Sequence, residues 1–177
     1  MPWLEGVRPG QPGHPLYVPA RQRAGRLDNP DHYRVLYVAD SAVGAIAEAF
    51  GSFELWTPAM LSGPPGLPGS RRALVGFQCP DDTPVLNVDD AAALLQRDLR
   101  PSEVVTRSRE VTQAWALGIF EEGRFAGVRW WSYYNPDWGS IGLWDQSSVA
   151  VESVQELTED SAALQRAREV LMRSWVR

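Results

Sequence analysis

Apolar and polar positions alternate in blocks that predict a mixed sequence of strands and helices. Val35 to Ala39 (VLYVA) is a short apolar run rich in β-branched and aromatic residues, which predicts a buried strand. Asp40 or Ser41 is a candidate N-cap for the helix that follows, and Gly51 its stop. That helix carries Ala42, Val43, Ala45, Ile46, Ala47, Ala49 and Phe50, apolar nearly all round, which predicts burial. Glu48 interrupts it. A buried carboxylate is costly unless paired, and Arg26, just before the strand, is a candidate partner.

Further along, Ala73 to Phe77 predicts a strand, and Leu86 and Val88 another. Asp89 to Leu99 reads as a capped helix and Thr112 to Glu121 as a second, amphipathic one ending near Gly123. Gly127 to Tyr134 and Ser140 to Asp145 read as strands joined in a hairpin by Asn135 to Gly139. Val149 to Val154 predicts a last strand. Residues 160–176 predict a terminal helix with Leu164, Ala167, Val170 and Leu171 on one face. Residues 1–25 read as irregular, with one short strand at Leu16 to Val18. The segment 62–70, SGPPGLPGS, reads as a surface loop, its prolines being wrong for a dinucleotide fingerprint. This mixture predicts an α+β fold in one domain over 1–177, with a core at about 8–155 and the terminal helix after it.

Composition narrows the chemistry. All 17 basic residues are Arg, so no lysine Schiff base and no P-loop lysine is available. The net charge of −5 gives no footprint for nucleic acid. Cys79 is the only cysteine, which rules out an internal disulfide and a four-Cys zinc site. No apolar run approaches membrane-span length and the N-terminus lacks signal-peptide features, so the expected location is the cytoplasm. His14 and His32 sit among loop residues. The pairs Asp81–Asp82 and Asp89–Asp90 read as caps and solvated charges, so no metal site is expected. No G-x-S-x-G elbow is present, since Gly139-Ser140-Ile141-Gly142 is one residue short.

Four polar residues remain. Taken singly, Arg26 is an ordinary loop arginine, Tyr37 a core aromatic, Glu48 a helix-end carboxylate and Ser132 a strand serine. Together they share one trait: each interrupts an apolar stretch with a polar group.

These residues resemble the RES-domain family, named for its Arg, Glu and Ser. The family pattern is a Gly-Arg-aromatic-Asn/Asp loop, a Leu-Tyr-x-Ala strand and a helix ending Ala-x-x-Glu. It matches Gly25-Arg26-Leu27-Asp28, Leu36-Tyr37-Val38-Ala39 and Ala45-Ile46-Ala47-Glu48. A helix beginning Thr-Gln and a Gly-x-x-Tyr-x-Ser strand match Thr112-Gln113 and Gly127 to Ser132, and SIGLWD resembles the family's next strand. Leu27 stands where an aromatic is common, and Trp130 where Tyr is common. For the family's early arginine Arg8 fits by spacing, with Arg21 and Arg23 as alternatives.

The resemblance implies an ADP-ribosyltransferase-like fold that takes NAD as substrate, with no separate cofactor. It implies cleavage of the nicotinamide–ribose bond by water or phosphate, in the toxin of a toxin–antitoxin pair. The implied partner is an antitoxin with an Xre-like DNA-binding region. Arg26, Glu48 and Ser132 are then the candidate catalytic residues, and Arg8, Arg26 and Tyr37 the candidate NAD contacts. Transfer of ADP-ribose to a macromolecule and non-catalytic nucleotide or partner binding are the alternatives.

Overall fold

A computed structural model of the chain describes residues 1–176. In chain order the elements are β1 (Pro2–Trp3), β2 (Leu36–Ala39), α1 (Ala42–Phe50), β3 (Leu55–Trp56), a 3₁₀ turn (Pro58–Leu61), β4 (Arg71–Gln78) and β5 (Val85–Asn87). Then come α2 (Ala91–Leu95), α3 (Pro101–Val104), α4 (Arg109–Glu121), β6 (Gly127–Trp131), β7 (Gly139–Leu143), β8 (Ala150–Glu156), α5 (Ala162–Val170) and β9 (Ser174–Trp175). Helices and mixed sheets make the chain α+β, as the hydropathy pattern predicts. Interleaved segments build two compact units. The first takes Met1–Tyr17, Ser41–Gln78 and the chain from Val149 onward; the second takes Val18–Asp40 and Cys79–Ser148.

In the second unit a four-stranded sheet runs in the order β2-β7-β6-β5. The β2–β7 and β7–β6 pairs are antiparallel, and β5 joins β6 in parallel. Register puts Tyr37 opposite Gly142, which is opposite Val128, and Ala39 opposite Ser140, which is opposite Trp130. These residues therefore share one face of the sheet. Leu27, Val88, Val104, Ala116, Ile119 and Val128 form the centre of a core packed there, α4 included. Gly142 is required: a Cβ would overlap Leu27 Cδ1 and lie 3.0 Å from Val35 Cγ1.

In the first unit β1, β4 and β8 form an antiparallel sheet with an irregularity at Gly76 and Phe77. β3 and β9 pair in parallel. Helices α1 and α5 pack together through a core of Ile46, Phe50, Trp56, Leu157, Leu164 and Ala167.

Several predicted elements are corrected. Leu16 to Val18 is not a strand; the first strand is β1. The Asp89–Leu99 helix shrinks to α2, capped by Asp90, because the chain turns through Asp98 at φ +51° and Pro101 opens a separate helix. Helix α4 starts at Arg109 behind the Ser108 cap, three residues before the apolar pattern reveals it. β6 ends at Trp131, so Ser132 belongs to the hairpin loop and not to the strand. The terminal helix stops at Val170, where Met172 at φ +52° turns the chain into β9. Val170 is exposed, while Leu164, Ala167 and Leu171 pack as predicted. β2 lies at a sheet edge, which leaves Tyr37 partly exposed.

The largest correction concerns α1. Its buried stripe is Gly44, Ile46, Ala47 and Phe50, while Ala42, Glu48 and Ala49 are exposed. Glu48 is thus a surface carboxylate, not a buried one. Alanine is the strongest helix former and burdens an exposed face very little, so apolar composition here did not mean burial on every side.

Candidate active site

The Gly25–Asn29 loop of the second unit is built around a buried carboxylate. Asp28 is 5% exposed. Its Oδ2 accepts the Gly25 N–H at 2.6 Å, and its Oδ1 accepts the Tyr37 hydroxyl at 2.7 Å. The same hydroxyl accepts the Leu27 N–H at 2.9 Å. Gly25 allows this closure, since a Cβ would overlap the Tyr37 hydroxyl oxygen and lie 2.5 Å from Asp28 Oδ1.

Residues distant in sequence hold the loop from the other side. Gln113 Nε2, on α4, donates to the carbonyls of Arg23 at 3.2 Å and Gly25 at 3.0 Å. Arg109 Nε donates to Ala24 O at 2.9 Å. Asn29 Nδ2 reaches back to Gln113 O at 3.0 Å and to the Tyr33 hydroxyl at 2.8 Å. Arg26 Nη1 donates to the carbonyls of Val104 and, at 2.9 Å, Thr106. Those two bonds orient the guanidinium.

Tyr37 is consequently split in character. Its hydroxyl is locked inward, while the residue as a whole is 38% exposed. The ring meets Trp130 edge-on, with centroids 6.3 Å apart. Burial of the hydroxyl raises the phenol far above its ordinary range, and Asp28 raises it further by hydrogen bond and charge. Tyr33, also buried, is pushed up to about 12 despite the Asn29 bond. With its hydroxyl committed to Asp28 and Leu27, Tyr37 is placed to supply an aromatic surface.

Ser132 is buried at the start of the hairpin loop. Its N–H donates to Trp138 O at 2.7 Å and its Oγ accepts the Tyr134 N–H at 3.2 Å. Ser140, buried too, lies on the sheet face that carries Tyr37. Beyond the opposite face, Arg129 bridges Asp40, at 2.8 Å, and Asp89. Burial opposes its charge, but the two carboxylates outweigh that and raise its pKa. Asp40 also receives the Gly139 N–H at 2.9 Å, which fastens the hairpin to the end of β2.

Arg26, Tyr37 and Ser132 therefore belong to one unit, and the first two meet through a single loop. Glu48 and Arg8 belong to the other. Glu48 projects from the last turn of α1. Arg8 is exposed in a turn in which its N–H donates to Gln11 Oε1 at 3.1 Å. Asp28, Gln113 and Asn29 were not singled out for roles by their sequence context, although Asp28 and Gln113 stand inside the motif. For those two the signal is a polar residue at a motif position without an apolar period to account for it, and Asn29 directly follows the motif. Among the described residues no group of three or more His, Cys, Asp or Glu is suited to hold a metal ion, and no helix is long and apolar enough to cross a membrane.

In comparison with known families the RES domain model matches residues 9–165, nearly the whole chain. No curated protein and no solved structure matches it.

Proposed function

Since the chain belongs to the RES-domain family, we propose that it degrades NAD by cleaving the nicotinamide–ribose bond, on a fold of the ADP-ribosyltransferase kind. The observation that carries the proposal is Tyr37: its hydroxyl is bound inward to Asp28 and Leu27, and the residue remains partly exposed beside the oriented Arg26 loop. An aromatic ring beside an oriented guanidinium suits a ligand that joins a flat heterocycle to phosphate.

In the proposed reaction the C–N bond breaks and its electron pair leaves with nicotinamide, which departs neutral and needs no acid. The ribose carbon becomes oxocarbenium-like, as in glycoside cleavage. Water then adds to give ADP-ribose and a proton, or phosphate adds to give the 1-phosphate of ADP-ribose. Tyr37 packs on the nicotinamide ring and Arg26 holds the pyrophosphate or the incoming phosphate. Glu48 bonds a ribose hydroxyl and stabilises the developing cation, and Ser132 orients the ribose. Arg8 is the proposed early phosphate contact. The work is positioning and charge stabilisation. On the same proposal the protein is a toxin whose partner is an Xre-like antitoxin.

The test is to follow NAD and nicotinamide by chromatography with purified protein, with and without inorganic phosphate. Nicotinamide release supports cleavage, and its dependence on phosphate distinguishes phosphorolysis from hydrolysis. Release only when lysate is added, with label from NAD appearing on macromolecules, would replace degradation by ADP-ribose transfer. Intact NAD in both conditions would sink the proposal.

A further inference from the structure

Tyr133 is the most exposed tyrosine of the second unit, at 62%, yet it is not loose. It sits between two fixed points of the hairpin loop: buried Ser132, bonded to Trp138 O, and Tyr134, whose N–H is bonded to Ser132 Oγ. Asn135 closes the loop further, its Oδ1 accepting the Asp137 N–H at 2.9 Å and its carbonyl the Trp138 N–H at 3.1 Å. The Tyr134 ring stands edge-on to Tyr133 at 5.4 Å. Arg107 lies over the Tyr133 ring at 5.4 Å and donates from Nη2 to its hydroxyl at 3.3 Å.

Arg107 ties this aromatic to the arginine of the family motif. Thr106, its neighbour, gives the carbonyl that orients Arg26 at 2.9 Å, and the Thr106 Oγ1 accepts the Ser108 N–H at 3.2 Å. One short, hydrogen-bonded segment therefore carries Arg26 on a backbone carbonyl and Arg107 on the next residue. Tyr37 and Tyr133 belong to the same unit as this pair of guanidinium groups. A dinucleotide joins two bases through a pyrophosphate, so two aromatic rings and two guanidinium groups match it in kind.

We infer that Arg107 and Tyr133 form a subsite for the adenosine half of the dinucleotide, with Tyr133 stacking on adenine and Arg107 meeting the adjoining phosphate. This deepens the proposed NAD cleavage and rests on it for the identity of the ligand. Stacking on an exposed, pre-held ring is favourable because ordering cost is already met by the fold. The pair is a specificity element, selecting a dinucleotide over a mononucleotide; it takes no part in breaking the bond.

The test uses equilibrium binding, which needs no turnover. Titrations of ADP-ribose and of nicotinamide mononucleotide would be compared for the full chain, Tyr133→Ala, Tyr133→Phe and Arg107→Gln, each first checked by circular dichroism. Tyr133→Ala is expected to weaken ADP-ribose by roughly five- to a hundred-fold. Tyr133→Phe should bind nearly as the parent, and none of the variants should change the mononucleotide's affinity. Unchanged ADP-ribose affinity in a folded Tyr133→Ala and Arg107→Gln would overturn the subsite, as would equal losses for both ligands. If ADP-ribose binding depends on Tyr133 but the parent releases no nicotinamide from NAD, the subsite stands and the cleavage proposal falls. If nicotinamide is released but Tyr133 is indifferent, the reverse holds.

Discussion

The Tyr37 hydroxyl donates to Asp28 Oδ1 at 2.7 Å and accepts the Leu27 N–H at 2.9 Å, so one oxygen closes the motif loop onto the edge strand of the sheet. Removing that oxygen strands two partners, one of them a carboxylate that is almost wholly buried. Tyr37→Phe keeps the ring and should still cost about 1–3 kcal/mol of stability. Urea denaturation of the two proteins measures it; a loss below about 0.5 kcal/mol would mean that water replaces the hydroxyl at no cost.

The same pair governs behaviour at high pH. The folded-state pKa of Tyr37 is raised, so its contribution to stability is complete below the ordinary value of 10.0 and is lost as pH climbs above it. Absorbance titration follows phenol ionisation directly. Tyr33, with a value of about 12, and Tyr37 should ionise only late or together with unfolding. Tyr37→Phe should lose less stability than the parent between neutral pH and the alkaline limb.

Gly25 is the spacer that lets Asp28 and Tyr37 meet. A methyl group at this position would overlap the Tyr37 hydroxyl oxygen. Gly25→Ala is expected to destabilise by about 1–3 kcal/mol through overpacking and to displace Arg26, its neighbour. Thermal denaturation together with NAD turnover checks both effects. A variant as stable and as active as the parent would show that the loop yields freely.

Glu48 offers the cleanest separation of fold from chemistry. Glu48 is exposed on α1 and Glu48→Gln keeps the size of the side chain, so the variant should retain the fold, as circular dichroism checks. If Glu48 stabilises the ribose cation, turnover should drop by about a hundred- to a thousand-fold, equivalent to roughly 2.7–4 kcal/mol. Nicotinamide release near the parent rate would remove Glu48 from the reaction.

Acid stability has a defined contributor in the second unit. Arg97 Nε and Nη2 grip the two oxygens of Glu122 at 2.8 Å each, and Arg124 adds a further bond. The Arg97 hydrogen bonds are the main cause that holds Glu122 below its ordinary 4.5. Its contribution is therefore full above about pH 4.5 and disappears as pH falls through the lower folded value. Glu122→Gln should lose about 1 kcal/mol or less at pH 7 and show a shallower decline in acid. Equal acid slopes in the two proteins would assign the acid transition to other carboxylates.

The α+β class, the central strands and the helices α1, α4 and α5, and the ordered family motifs were legible in the chain, whereas β1, β3, α3 and β9 were not. Also legible were Arg26, Tyr37, Glu48 and Ser132 as residues to single out. These follow from short-range periodicity and from motif spacing, which need no knowledge of what lies across the fold. The partners of those residues were not legible. Gln113 meets the carbonyl of Gly25 from 88 positions away, and Arg26 meets Thr106 from 80. Such contacts depend on sheet register and on how helices pack, where a shift of one residue would exchange every partner. The environment of Glu48 shows the same divide. Its helix was readable, but which side of an alanine-rich helix faces a core depends on the residues of α5 and β3 that pack on Ile46 and Phe50. Periodicity locates the element; only the packed neighbours choose which of its faces is wet.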